Sequence, residues 1–196
     1  MKVETKELTP ELWPAFEELF GKNGACGGCW CMSWRTERGE KWADVKGALA
    51  RRRMEKLVAQ GKAMGILAFV GKEPVGWCTF GKRLDFPKLA RARSLACDDA
   101  DRVWSLPCFF VKRGHRGQGV ATALLEHALQ ALARDGALVA ESYPSKPYPD
   151  GQRTPDAFAW TGTRSLFEKA GFVIAGNENG SKQRMRKDLS RKRGRK

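Results

Sequence analysis

The sequence predicts an α/β fold in one domain, and three stretches carry that prediction. Gly65-Ile-Leu-Ala-Phe-Val70 and Val75-Gly-Trp-Cys-Thr-Phe80, joined by Gly71-Lys-Glu-Pro74, read as an antiparallel hairpin. Cys108-Phe-Phe-Val111 reads as another strand, running through a basic, glycine-rich turn into an amphipathic helix. There Val120, Ala121, Leu124, Leu125, Ala128, Leu129 and Leu132 follow the i, i+3, i+4, i+7 spacing of a buried face. A short helix over residues 160 to 170 then leads into a strand at Gly171-Phe-Val-Ile174.

The remaining elements follow in order. Val3 to Glu7 is a first strand. Thr9-Pro10-Glu11 starts a helix, with a capping hydroxyl, proline at the first helical position and an acid at the positive end. Leu12, Trp13, Phe16, Leu19 and Phe20 form its apolar stripe. Residues 21 to 38 read as a loop. One helix is expected over 40 to 60, with Trp42, Val45, Leu49, Leu57 and Val58 inward and Arg51 to Arg53 mostly in water. Residues 84 to 101 are a short helix and a loop. Leu138 to Glu141 is a strand, Ser142 to Asp156 a proline-stiffened surface loop, and Gln183 to Arg186 a closing strand.

At 196 residues and 42% hydrophobic content the chain suits one domain with a proper core. No apolar run reaches membrane-spanning length, and the charged N-terminus does not resemble a signal peptide. The expectation is a cytoplasmic protein whose six cysteines are reduced, with no membrane partner. Net charge is +14, and the last thirteen residues hold half of it. The domain is placed at 1–188. The tail at 189–196 reads as a solvated end rather than a nucleic-acid dock.

Function is most legible in the turn after Cys108 to Val111. Glycines at 114, 117 and 119 let the backbone approach a ligand, and a helix N-terminus offers free amides with a partial positive charge. Lys112, Arg113 and Arg116 add full charges, so the turn is built for an anion. A Walker loop would end in Gly-Lys-Ser/Thr, whereas this one ends Gly-Val-Ala-Thr. A dinucleotide fingerprint wants a third glycine near Thr122 and a large doubly wound sheet downstream, and too few residues follow. Arg116-Gly-Gln-Gly119-Val-Ala121 instead resembles the Arg/Gln-x-x-Gly-x-Gly/Ala signature of the GNAT superfamily of acyl-CoA N-acyltransferases. The hairpin opening at Val75-Gly76 and the junction Phe167-Glu-Lys-Ala-Gly-Phe172 are similar to that family too.

The resemblance implies a GNAT fold: a mixed, mostly antiparallel central sheet of about six or seven strands, flanked by helices, with a splayed cofactor strand pair. It implies acetyl-CoA as cosubstrate and direct attack by a primary amine in a ternary complex. Cofactor contacts are expected from Phe109, Phe110, Val111, Arg116, Gly117, Gln118, Gly119, Val120, Ala121, Thr122 and Phe167. Backbone N–H groups near Phe109 to Val111 are the expected oxyanion donors.

An ordinary amine with a pKa of about 10.4 is neutral roughly once in 2,500 at pH 7, a cost of about 4.6 kcal/mol, so a general base is needed. Glu141, the carboxylate at the end of the strand beside the cofactor strand, is the expected base. Many family members carry a tyrosine acid where this chain has Phe167, so Tyr143 is the expected substitute.

The most unusual stretch is Cys26-Gly-Gly-Cys29-Trp-Cys31-Met-Ser-Trp34. Three thiolates at this spacing suit zinc, but a fourth ligand is not evident, and no metal is expected. By the resemblance this segment borders the acceptor site, with Trp30, Met32 and Trp34 lining an apolar pocket; a buried aromatic plug is the alternative. His115 reads as a solvent-side turn residue and Cys108 as packing. The acceptor is a small-molecule or peptide amine, and a homodimer is compatible with the sequence. A second functional class also fits: a GNAT-fold protein without turnover that docks RNA or the ribosome through its tail.

Overall fold

The structure, a computed structural model, describes residues 2–146, 159–176 and 180–190. Its strands are β1 (Glu4–Glu7), β2 (Met64–Val70), β3 (Glu73–Lys82), β4 (Val103–Val111), β5 (Val139–Ser142), β6 (Val173–Ile174) and β7 (Met185–Asp188). Its α-helices are α1 (Trp13–Phe20), α2 (Trp42–Val45), α3 (Ala48–Ala59), α4 (Pro87–Arg91), α5 (Val120–Arg134) and α6 (Arg164–Lys169). The strands form one sheet in the order β1-β2-β3-β4-β5-β7-β6. Only β4 and β5 pair in parallel; the other neighbours are antiparallel. This is the mixed, mostly antiparallel sheet that the sequence predicts. Most of the proline-rich loop from 147 onward and the end of the tail from 191 lie outside the described residues.

Each face of the sheet carries its own core. On one, Phe16 and Phe20 of α1, Met54 of α3, Trp30 and Trp34 pack against Leu67 and Trp77. On the other, Val120, Leu124, Leu125, Ala128 and Leu132 of α5 pack against Ile66, Val75, Cys78 and Phe109. With helices on both sides, the central strands lose the apolar/polar alternation of a half-wet sheet: β3 is buried from Pro74 to Gly81. Gly76 lets α5 sit close, since a Cβ there would lie 2.7 Å from Val120 Cγ1. Among the described residues no helix is long and apolar enough to cross a membrane.

Gly65 serves the opposite face. A Cβ there would lie 2.0 Å from Cη2 of Trp77, whose ring is fully buried. Gly65→Ala is therefore expected to cost about 1–3 kcal/mol or more through overpacking. A urea midpoint equal to that of the parent chain would show that Trp77 has room to move.

The helix expected over 40 to 60 is two pieces. Lys46 leaves helical geometry and Gly47 takes φ +79°, the left-handed region where glycine is unstrained. The Gly47 N–H donates to the Gly28 carbonyl at 2.8 Å, tying the start of α3 to the glycine-rich loop. The late helix is also shorter than expected, starting at Arg164 with the Thr163 hydroxyl accepting from the Leu166 N–H at 3.3 Å.

Candidate active site

The sheet opens between β4 and β5. The two strands run together from the Val103–Val139 pair to the Leu106–Ser142 pair and then separate, while β4 continues to Val111. Local causes coincide at this point. Pro107 follows the last paired residue and has no N–H for a ladder, and the β3–β4 register shifts between Thr79 and Gly81. The opening forms a cleft of about 510 Å³. Its walls come from Phe109 to Val111 on β4, the turn and first residues of α5, the segment from Ala159 to Leu166, and Ala25 and Cys26 of the glycine-rich loop.

The turn has the geometry of an anion cradle. Gly117 and Gly119 adopt φ of 73° and 82°, and an added Cβ at either would meet nothing within 4 Å. These glycines are required by backbone conformation, not by space. Gly119 caps the fifteen-residue α5, whose first turn holds no acidic residue, so its free amides and positive end face the cleft uncompensated. Arg116 Nε donates to the Val111 carbonyl at 3.0 Å, holding the turn against the end of β4.

Most of the expected cofactor residues meet here: Phe109, Phe110, Val111, Arg116, Gly117, Gly119, Val120, Ala121 and Thr122 all line the cleft. Gln118 closes the turn instead, its amide nitrogen donating to the Gly114 carbonyl at 2.8 Å. Phe167 is wholly buried, edge-on to Phe109 and Phe172 and under Gly162, away from the lining. His115 lines the cleft with Nε2 3.5 Å from a Glu73 oxygen, so it stands closer to the ligand space than a purely solvent-side residue.

The backbone donors are arranged differently from expectation. The Phe109 N–H donates to the Trp160 carbonyl at 2.7 Å, so it is engaged and not free for an oxyanion. Trp160 thus bridges the gap that β5 leaves. The Val111 amide, two residues on, faces the same edge by the alternation of a strand.

Glu141 and Tyr143 do not face the cleft. Both are fully buried; Glu141 lies opposite Ser105, below the point where the strands part, and Tyr143 follows the last paired residue, Ser142. One Glu141 oxygen accepts from Arg83 Nη1 at 3.0 Å and from the Tyr143 hydroxyl at 2.7 Å; the other accepts from Arg186 Nε at 2.6 Å. Arg83 also donates to the Tyr143 oxygen at 2.7 Å and the Leu95 carbonyl at 2.6 Å, and Ser105 Oγ lies 2.6 Å from the same hydroxyl. Arg186 reaches outward in a two-pronged bond to Asp99 at 2.8 Å, which holds that carboxyl down to about 2. Burial and the Glu141 charge push the Tyr143 phenol well above its ordinary value. Arg184 Nε stands 3.7 Å from the second oxygen as well, so this carboxylate is held among three guanidiniums and lies outside the cleft lining. That is the physical objection to Glu141 as base, and the same burial weighs against Tyr143 as acid.

The tryptophan-rich stretch is mostly core. Trp30 stacks on Phe20 at 5.5 Å, and Trp34 lies 5.7 Å from the Trp160 ring and 6.0 Å from that of Tyr143. Met32 is buried but borders a separate groove beside Arg35 and Lys62. None of the three lines the 510 Å³ cleft. Sequence reasoning missed Trp160, Gly162 and Ala25 as cleft residues. Pro107 was the available signal for the opening, since a proline in a central strand marks where pairing must stop.

The Acetyltransferase (GNAT) family model matches residues 29–172, more than half of the chain. No curated protein matches. Among solved structures, PaiA N-acetyltransferase from Thermoplasma acidophilum, in complex with coenzyme A, is similar at a TM-score of 0.57 and 13% identity, covering 96% of this chain and 99% of that one. YncA from Salmonella typhimurium, described as a putative acetyltransferase with its cofactor acetyl-CoA, gives 0.57 at 14% identity, covering 96% and 94%. The sheet that parts beside a glycine-rich turn and the family match agree: the chain belongs to the GNAT acetyltransferase family.

Proposed function

We propose that the protein is an acetyl-CoA-dependent N-acetyltransferase acting on a primary amine. The observation that carries this reading is the cleft where β4 and β5 part, with the Gly117–Gly119 turn and the start of α5 at one end. The pyrophosphate of coenzyme A lies on those amides and beside Arg116, and the pantetheine arm runs along the free edge of β4 at Val111. The thioester then reaches the level of Phe109 and Trp160. The neutral amine nitrogen attacks the carbonyl carbon, the carbon–sulfur bond breaks, and the proton that the nitrogen gives up ends on the departing sulfur, directly or through solvent, giving a thiol of pKa about 8.5 by analogy with cysteine, an easy leaving group. No covalent enzyme intermediate forms.

In this reading Glu141 and Tyr143 are positioning residues. They bind β5 to Arg83 and Arg186 and so fix where the strands part. Support comes from the coenzyme A and acetyl-CoA complexes of the similar structures and from the turn's place in the lining of the cleft. The test follows thiol release from acetyl-CoA across a panel of small amines, peptide N-termini and lysine peptides. Amine-dependent release is expected with at least one class. Tight acetyl-CoA binding with no release for any amine would favour the alternative, a fold kept for binding without turnover.

A further inference from the structure

The fold gathers cysteines that the sequence keeps apart. Cys29 and Cys31 come from the glycine-rich loop and Cys108 from β4, and their three sulfurs lie within 4.8 Å of one another. Cys31 Sγ and Cys108 Sγ are 3.5 Å apart. Three thiolates around an ion at about 2.3 Å would sit roughly 3.8 Å from each other, so little adjustment is needed. Cys26, the obvious partner by spacing, is instead exposed and lines the cleft.

Two N–H groups point at these sulfurs. The Trp77 indole N–H donates to Cys31 Sγ at 2.7 Å, and the Cys31 N–H donates to Cys29 Sγ at 3.3 Å. A cation stands close by. Lys182 Nζ, hydrogen-bonded to Thr161 and Ser145 and over the Trp160 ring, is lowered to about 8 by burial and drawn back up by the field of Cys108. The backbone is forced to build this arrangement. Ala25, Trp30 and Cys31 are the non-glycine residues with positive φ among those described, and all lie in this one loop.

We propose that Cys29, Cys31 and Cys108 form a three-thiolate site for a zinc-class ion, with a fourth coordination position left for solvent or another ligand. Zinc displaces three thiol protons to the solvent and leaves a complex of one net negative charge, which Lys182 balances. Trp77 and the Cys31 N–H orient the sulfurs from outside the coordination shell. The ion would pin the loop carrying Ala25 and Cys26, one wall of the cleft, to the strand residue next to Phe109. The site is independent of which amine is acetylated.

The test uses the full chain, purified without chelator, and reads metal content by mass spectrometry and thiolate-to-cobalt charge-transfer absorption on adding cobalt. One zinc per chain is expected, with a near-ultraviolet cobalt band bleached by zinc and a thermal midpoint raised by zinc and lowered by chelator. Cys29→Ser, at a partly exposed position, should lose band and thermal shift while its circular dichroism stays native; Cys108→Ser should do the same if it folds. Cys26→Ser and Cys97→Ser should keep both. Absence of zinc and of a cobalt band in the reduced chain would overturn the site. So would a band that survives Cys29→Ser, or an intact mass showing a Cys31–Cys108 disulfide that cobalt and zinc cannot compete with under reductant.

Discussion

Glu141→Gln is expected to lower stability by about 3–5 kcal/mol, the usual cost of removing one partner from a buried ion pair. Arg83 is only 3% exposed, and its other acceptors are the Tyr143 hydroxyl and the Leu89 and Leu95 carbonyls, none of which is a carboxylate. The amide can still accept hydrogen bonds but leaves the guanidinium charge uncompensated. Arg186 keeps Asp99 and suffers less. The decisive comparison is between two measurements on the same variant. If Glu141 positions β5, the denaturation midpoint falls while the pH–rate profile of the surviving activity keeps its shape. A near-native midpoint with loss of the limb that reports a general base would instead make Glu141 the base that the sequence suggested.

Gly119→Val should weaken acetyl-CoA binding about 10- to 150-fold. The left-handed φ of 82° costs an L-residue roughly 1–2 kcal/mol, and a β-branched side chain resists it further. The turn can relieve this only by rotating the peptide that aims the first amides of α5 at the cleft. Losing one hydrogen bond to a charged group costs about 1.5–3 kcal/mol, which sets the range. Gly61→Val provides the control: it shares the positive φ of 65° and open space, but stands at the end of α3, outside the cleft lining. It should lose stability and keep affinity. Calorimetric titration giving the same acetyl-CoA affinity for Gly119→Val as for the parent would remove the turn from the binding site.

The hairpin of β2 and β3, the strand–turn–helix of β4 and α5, and the glycine conformations of the turn were legible because local chemistry dictates them. Apolar runs bounded by Gly71 and Pro74, a 3.6-residue stripe over α5, and glycines where φ must be positive all act within a few residues. The break at Gly47 was also local, and a helix reading that weighed the stripe above the glycine overlooked it. The signature around Arg116 to Ala121 was enough to point to the family that the comparison then showed.

Contacts across sequence were another matter. That the Phe109 amide is taken by Trp160, that Glu141 faces Arg83 rather than a ligand, and that Cys108 completes a thiol cluster with Cys29 and Cys31 depend on residues more than twenty positions apart. The sequence by itself determined the fold class, the family and the glycine-rich turn, because periodicity and backbone conformation are written locally. Only the tertiary structure decided which polar groups face the cleft and which are spent in the core. That choice depends on how β4 and β5 part, and on what the chain packs into the gap.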